Sequence, residues 1–113
     1  MNYSFGQVVL VGFPFTNLQA AKQRPAVIIH SDTYQPRTDV ILMAITSQIR
    51  EPLTTGEALL QDWQMAGLVK PSVLKPLIAT LEKDRIVKKL GQLSTAYQKQ
   101  LSGILDSVLG PRR

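Results

Sequence analysis

The 113-residue chain contains no cysteine and a single histidine, His30. Without cysteine it can form no disulfide, thiolate nucleophile or thiolate zinc site, and a Ser-His-Asp arrangement would depend on His30 alone. The eight carboxylates show no metal-loop spacing and no acid pair, and a phosphate-binding glycine loop is also missing. Most familiar enzyme signatures are therefore excluded or unsupported, and we expect neither a metal nor another cofactor.

Long apolar runs are missing as well. No stretch reaches the roughly 18 apolar residues of a membrane helix, and the start of the chain has no basic leader followed by a small-residue cleavage site. We therefore expect no membrane span and no signal peptide, and a cytoplasmic location fits the lack of cysteine. Because 44% of the residues are apolar, the chain should fold, as one domain over residues 1–113.

Positive charge is in excess, since 13 Lys and Arg face eight Asp and Glu, for a net charge of +5. A basic balance is typical of proteins with a polyanionic partner such as a nucleic acid. A basic domain without such a partner would have the same composition, and the cations are mostly dispersed along the chain. Charge therefore favours a nucleic-acid partner without establishing one.

Short apolar segments predict about five strands. They cover residues 7–15, 25–30, 39–46, a short piece at 57–60, and 72–81 with an interruption at Pro76. The second and third are apolar on successive residues, so both of their faces should be covered, one by a barrel interior and the other by a helix or a partner chain. Residues 16–23 predict a polar loop between the first two strands.

Near the end of the chain the apolar residues recur with the period of a helix instead of a strand. From Ser94 the apolar residues follow helical spacing in one stripe, Thr95 and Gln98 fit a capping box, and Gly110-Pro111 is a stop signal. A mainly β fold with a C-terminal helix is therefore predicted, and a small antiparallel barrel is the economical arrangement for so few residues.

Two places could carry chemistry. Arg24 stands directly before the second apolar strand, where a guanidinium that stays protonated needs an anionic partner. Thr46, Ser47 and Gln48 end the third strand with two hydroxyls and an amide. Taken singly, Arg24 fits a structural salt bridge and Thr46 with Ser47 fits strand-end capping.

Taken together, the two places favour a shared site. If the second and third strands pair antiparallel, the start of one lies beside the end of the other, and Arg24 meets Thr46. A guanidinium can fork onto two phosphate oxygens and stabilise charge in the transition state, while a hydroxyl orients the phosphate. His30 lies at the far end of its strand, roughly 20 Å from Arg24, so we expect no catalytic role for it.

At these residues the sequence resembles a known family. The segments "GQVVLVGFPF", "KQRPAVIIHSD", "VILMAITSQI" and "GLVKPSVLKPLIATLEKDRIVKKLGQLS" are similar to the MazF/PemK toxin endoribonucleases, over about Gly6 to Leu109. The "FPF" and "KPS" elements resemble the PemK-like branch most. The resemblance implies a small SH3-like antiparallel barrel with a C-terminal helix, a homodimer, and an antitoxin partner with a flexible acidic segment.

The resemblance also implies an activity: metal-independent, sequence-selective cleavage of single-stranded RNA, giving 2′,3′-cyclic phosphate and 5′-hydroxyl ends. The family's catalytic arginine and threonine correspond to Arg24 and Thr46, and neighbours that contact RNA correspond to Ser47 and Gln48. The family's mobile loop corresponds to residues 15–23, where a glycine-rich acidic sequence is replaced by "TNLQAAKQ". The further RNA-binding candidates in that segment are Phe15, Asn17, Lys22 and Gln23.

Stacking surfaces and the proton acceptor stay open. Phe13, Phe15 and Trp63 could stack on bases, although a place in the core or at an interface is favoured for each. An arginine is a poor general base, so the sequence leaves the group that takes the proton unassigned. Two other functions share the fold: a non-catalytic module that binds nucleic acid or protein, and a toxin that poisons DNA gyrase, although relatives of the latter kind lack the Arg and Thr pair.

Overall fold

The computed structural model describes residues 2–12 and 23–110. The regular elements of this part are the strands β1 (Gln7–Gly12), β2 (Gln23–Ile28), β3 (Asp39–Thr46), β4 (Ala58–Leu60), β5 (Ser72–Glu82) and β6 (Ile86–Gln92), and the helix α1 (Thr95–Leu109). Two short 3-10 turns, Asp32–Tyr34 and Lys83–Arg85, precede β3 and β6. The predicted fold class, mainly β with a C-terminal helix, is confirmed.

The six strands form one sheet in the order β4-β5-β3-β2-β1-β6, and neighbours pair antiparallel. β4 and β6 are therefore the two edges. Residues 61–71, which we call the β4–β5 connection, pass from one edge to the other, because Gly67 lies against Leu90 of β6 and Ala66 lies against Gly91. The sheet thus curls into a half-barrel whose open side is crossed by this connection.

Both faces of the central strands are buried, as the unbroken apolar runs predicted. Val27 and Met43 belong to one cluster, which includes Leu101 and Leu105 of α1 and which we call the helix-side cluster. Each of these helix leucines contributes about 1.5–3 kcal/mol by leaving water. The neighbouring residues of β2 and β3 alternate onto a second cluster, which includes Ala26, Ile28, Leu42 and Ala44. The helix is therefore the cover on one of the two faces.

The strand β6 was not among the predicted strands. It pairs with β1 through a ladder with two register shifts, and most of its side chains are half-buried or exposed. Its exposed lysines, Lys88 and Lys89, interrupt the apolar pattern that identifies a buried strand, since an edge strand needs little burial. The boundaries of β2 also differ from the prediction: Gln23 begins the strand instead of ending the loop, and the strand ends at Ile28, before His30.

The N-cap of the helix is Ser94, one residue before the predicted Thr95. The Ser94 Oγ accepts a hydrogen bond from the backbone N–H of Tyr97 at 3.3 Å. The Gln98 side chain donates to the carbonyl oxygen of Leu93 at 2.9 Å, so the capping box predicted for Thr95 and Gln98 was wrong. Gly110 ends the helix with φ of 80°. Within the described ranges no helix has the length and apolar character to cross a membrane.

Candidate active site at the ends of β2 and β3

The ladder between β2 and β3 sets the position of the site. Its last pair is Ala26 with Ala44, and two further residues in the same register place Arg24 opposite Thr46. Since side chains alternate along a strand, both belong to the sheet face of the two alanines. Beyond Ala26 the two strands part, because β2 continues only against β1 and β3 only against β5. Arg24 and Thr46 therefore lie at the same end of β2 and β3, beyond the last pair of their ladder.

A cavity of about 210 Å³ opens where the strands part. Gln23 and Arg24 line it from β2, and Thr46 and Ser47 line it from the end of β3. We call it the Arg24 pocket. It brings together four of the residues singled out from the sequence.

Arg24, which lines this pocket, carries a hydrogen-bond donor that finds no partner among the described residues. This donor is the buried Nε. The salt bridge considered for Arg24 is likewise not formed within the described residues, where an ion pair joins Arg37 and Asp39 at 3.1 Å instead. Leaving a buried donor unpaired costs roughly 1–3 kcal/mol, and more for a charged group. The position is thus one that an anion would stabilise.

Thr46 does cap the end of its strand, as one alternative predicted. Its Oγ1 accepts a hydrogen bond from the backbone N–H of Gln48 at 3.1 Å. A hydroxyl has one proton to donate and two lone pairs, so accepting this bond leaves the proton available to a ligand. The capping bond also fixes the side chain, so Thr46 can cap the strand and orient a phosphate at the same time.

The opposite wall of the pocket is formed by Leu68, Val69 and Lys70 of the β4–β5 connection and by Ser72, the first residue of β5. Ser72 is 3% exposed, and its Oγ donates to the carbonyl oxygen of Lys70 at 3.0 Å. Pro71 disfavours a helical backbone at Lys70, the second cation that lines the pocket.

Sequence reasoning missed this wall. Lys70 is 46 positions from Arg24, and no local pattern links a loop lysine to a distant strand end. The "KPS" segment was noticed only as part of the family resemblance. This segment was the only sequence feature that could have pointed to the wall, and its distance from Arg24 in space could not be predicted without the fold.

The remaining predicted residues are placed as follows. Gln48 is exposed beside Thr46 and does not line the Arg24 pocket, while Phe15, Asn17 and Lys22 lie outside the described residues, as does Phe13. Trp63 packs against the helix-side cluster, in keeping with its core alternative.

His30 is buried beyond the far end of β2, with 6% of its surface exposed, and its Nδ1 lies 3.0 Å from the carbonyl oxygen of Ser31. It does not line the Arg24 pocket. Within residues 2–12 and 23–110, no three His, Asp or Glu side chains are placed to hold a metal ion.

The fold and sequence are similar to those of known proteins. The family model of the PemK-like, MazF-like toxin of type II toxin-antitoxin systems matches residues 4–109. A comparison with curated protein sequences finds no match.

Among solved structures, an endoribonuclease in complex with its cognate antitoxin from Mycobacterial species aligns with a TM-score of 0.77 at 19% identity, covering 97% of each chain. The Mycobacterium tuberculosis toxin MazF-mt6 aligns with a TM-score of 0.75 at 18% identity, covering 95% of this chain and 99% of that one. A MazE-MazF structure from Deinococcus radiodurans aligns with a TM-score of 0.75 at 19% identity, covering 99% of both chains.

Proposed function

Because the chain belongs to the family of PemK-like and MazF-like toxins of type II toxin-antitoxin systems, we propose that it is an endoribonuclease that cleaves single-stranded RNA in the Arg24 pocket. The observation that carries the proposal is that Arg24 lines one pocket with Thr46 while its buried Nε has no hydrogen-bond partner among the described residues. A scissile phosphate supplies the anion that this donor lacks.

The proposed reaction uses the nucleophile of the substrate itself. The 2′-oxygen of RNA bonds to phosphorus, the bond to the 5′-oxygen breaks, and the 5′-oxygen takes up a proton. The products are a 2′,3′-cyclic phosphate and a 5′-hydroxyl. Arg24 stabilises the charge on the phosphorane, and Thr46 holds one of its oxygens in line with the attack. The 2′-proton passes to water or to a substrate group, and none of these steps requires a protein-bound metal ion.

The size of the pocket favours a polymer over a small molecule. About 210 Å³ is below the roughly 300–1,000 Å³ of small-molecule sites, whereas one phosphate of an RNA strand needs only an open notch. The net charge of +5 adds the nonspecific attraction that phosphates provide. Gln23, Ser47 and Gln48, with Phe15, Asn17 and Lys22 of the preceding segment, are the proposed contacts for the rest of the strand.

The proposed partners follow from the same family. One similar endoribonuclease was solved in complex with its cognate antitoxin, and the Deinococcus radiodurans protein was solved as MazE-MazF. We expect this toxin to act as a homodimer on messenger RNA in the cytoplasm and to be silenced by its own antitoxin. An acidic antitoxin segment would compete with RNA for the guanidinium of Arg24.

The activity is tested on long unstructured RNAs in the presence of EDTA. We expect cleavage at a small set of sequences, and the downstream fragments should accept phosphate from a polynucleotide kinase without prior phosphatase treatment, because their 5′ ends are hydroxyls. Sequencing these ends would identify the recognition sequence. Absence of cleavage on several RNAs would contradict the enzymatic proposal, and cleavage only after metal is restored would contradict its metal independence.

Replacement of Thr46 by valine should lower kcat by roughly 10- to 100-fold with a smaller change in KM. Valine keeps the shape and removes the hydroxyl, so the phosphate loses a hydrogen bond that matters most in the transition state. Thr80→Val is the matched control, since Thr80 is exposed on β5. Equal cleavage rates for the two variants would remove Thr46 from the mechanism and favour a binding role for the pocket.

A further inference from the structure

A second cavity lies next to the Arg24 pocket. It has a volume of about 240 Å³ and shares Pro25, Leu68 and Val69 with that pocket. The shared residues form the boundary between the two cavities. A strand of RNA that leaves the Arg24 pocket past Val69 would therefore enter the second cavity next.

The floor of this cavity is a row of side chains across three strands. Pro25 of β2 stands opposite Leu10 of β1, and Leu10 stands opposite Lys88 of β6. Neighbouring strands are about 4.8 Å apart, so Lys88 lies roughly 10 Å from Pro25. A phosphate held by Arg24, the neighbour of Pro25, therefore needs a continuing strand to reach Lys88.

The lining has an apolar part and a cationic end. Leu10, Pro25, Leu68 and Leu90 offer an apolar surface, on which the face of a nucleobase can lie whatever its sequence. Val69 stands at the rim with 87% of its surface exposed, more than any other large apolar side chain of the described residues.

The cationic end is Lys88, which is exposed and has no ion-pair partner within the described ranges. Its neighbour Lys89 already lies over the ring of Tyr3, with the Nζ 5.3 Å from the ring centroid. Lys88 is therefore the β6 lysine that is available to a phosphate at this cavity.

We propose that this cavity, which we call the Lys88 subsite, binds the nucleotide that flanks the scissile phosphate in RNA. The base lies on the apolar floor, and its outer phosphate pairs with Lys88. The inference rests on the proposed function and extends it by assigning a second, sequence-tolerant contact to the connection and to β6. It also gives the exposed Val69 a role, as the ridge over which the strand passes.

The test measures RNA binding without cleavage. A fluorescein-labelled pool of short random-sequence oligonucleotides with 2′-O-methyl riboses cannot react, because its nucleophile is blocked. Binding is followed by anisotropy over a salt series, for wild type, Lys88→Gln and Val69→Ser. Lys99→Gln and Val108→Ser are the matched controls, since Lys99 and Val108 lie on α1 away from both cavities.

We expect Lys88→Gln to weaken binding roughly 3- to 5-fold and to lower the slope of log affinity against log salt by about 0.7, the value for one phosphate of a single strand. Val69→Ser should weaken binding roughly threefold through lost apolar contact, with the salt slope unchanged. Both controls should match wild type.

Three results would overturn the inference. If the wild type cleaves RNA while Lys88→Gln and Val69→Ser bind like wild type, the subsite is wrong and the proposed function stands. If Lys88→Gln and Lys99→Gln lose affinity equally, Lys88 contributes only to the overall charge, or protects the edge of the sheet. If the wild type neither binds the pool nor cleaves RNA, the subsite and the proposed function fail together.

Discussion

Replacement of Arg24 by methionine should lower kcat for RNA cleavage by at least about 100-fold. The change removes the guanidinium fork from the developing charge on phosphorus, and loss of a single such donor typically costs 10²- to 10³-fold. Methionine keeps the apolar stem of the side chain, so the pocket wall stays filled. Arg24→Lys should recover only part of the rate, because an ammonium offers a point charge without the bidentate geometry. Initial rates on the mapped RNA sequence measure both effects.

The same variant should not destabilise the protein. The buried Nε of Arg24 has no partner among the described residues, so methionine removes an unsatisfied donor, and we expect the free energy of unfolding to stay equal or to rise by about 1 kcal/mol. A structural salt bridge at Arg24 would predict the opposite sign. Arg37→Met is the control: Arg37 is paired with Asp39 at the surface, and its loss should leave cleavage unchanged. A destabilised Arg24→Met variant that still cleaves RNA would contradict the assignment.

Replacement of Gly67 by alanine should destabilise the fold by about 3 kcal/mol or more. Gly67 has φ of +78°, which alanine adopts only with strain, and an added Cβ would overlap the backbone carbonyl of Leu90 on β6. The overlapping atoms of Leu90 belong to the backbone of β6, so they can move aside only by distorting the strand. Because Leu68, Val69 and Lys70 follow directly, a displaced connection should also weaken RNA binding. Thermal and urea unfolding measure the loss of stability.

Gly103→Ala is the matched control for Gly67. Gly103 lies within α1, no heavy atom lies within 4 Å of an added Cβ there, and alanine favours a helix by up to about 1 kcal/mol over glycine. We expect this variant to be as stable as wild type or more so. A Gly67→Ala protein that unfolds like wild type would show that the connection does not pack against β6. The pocket wall formed by the connection would then not be placed as described.

The parts predicted from sequence are those with a local physical signal. The unbroken apolar runs of β2 and β3 predicted strands with both faces covered, and the apolar stripe after Ser94 predicted α1. The strand β6 was not predicted because Lys88 and Lys89 interrupt its apolar pattern. The helix cap was predicted one residue late because Ser94 and Thr95 are both good N-caps. Neighbouring residues compete for such a position, and tertiary contacts settle it.

For the site, the sequence led to Arg24 and Thr46 through two short motifs and the assumption that their strands pair. The pairing and its register are now known, and the catalytic roles of the two residues stay predictions. The assignments of Phe15, Asn17 and Lys22 fall outside the described residues. The wall formed by Leu68, Val69 and Lys70 could not be predicted, since contacts across more than forty positions leave no trace in a local pattern.

The sequence by itself determined the mainly β fold with its final helix, and it placed an arginine at one strand's start and a threonine at the next strand's end. Those features depend on side-chain periodicity and on the antiparallel geometry of consecutive strands, which are local. Only the tertiary structure decided that the β4–β5 connection crosses to β6, closes a pocket around Arg24 and leaves the guanidinium Nε without a partner in the described chain. That arrangement depends on which surfaces meet when the sheet curls, and the free energy of that packing is shared among residues far apart in sequence.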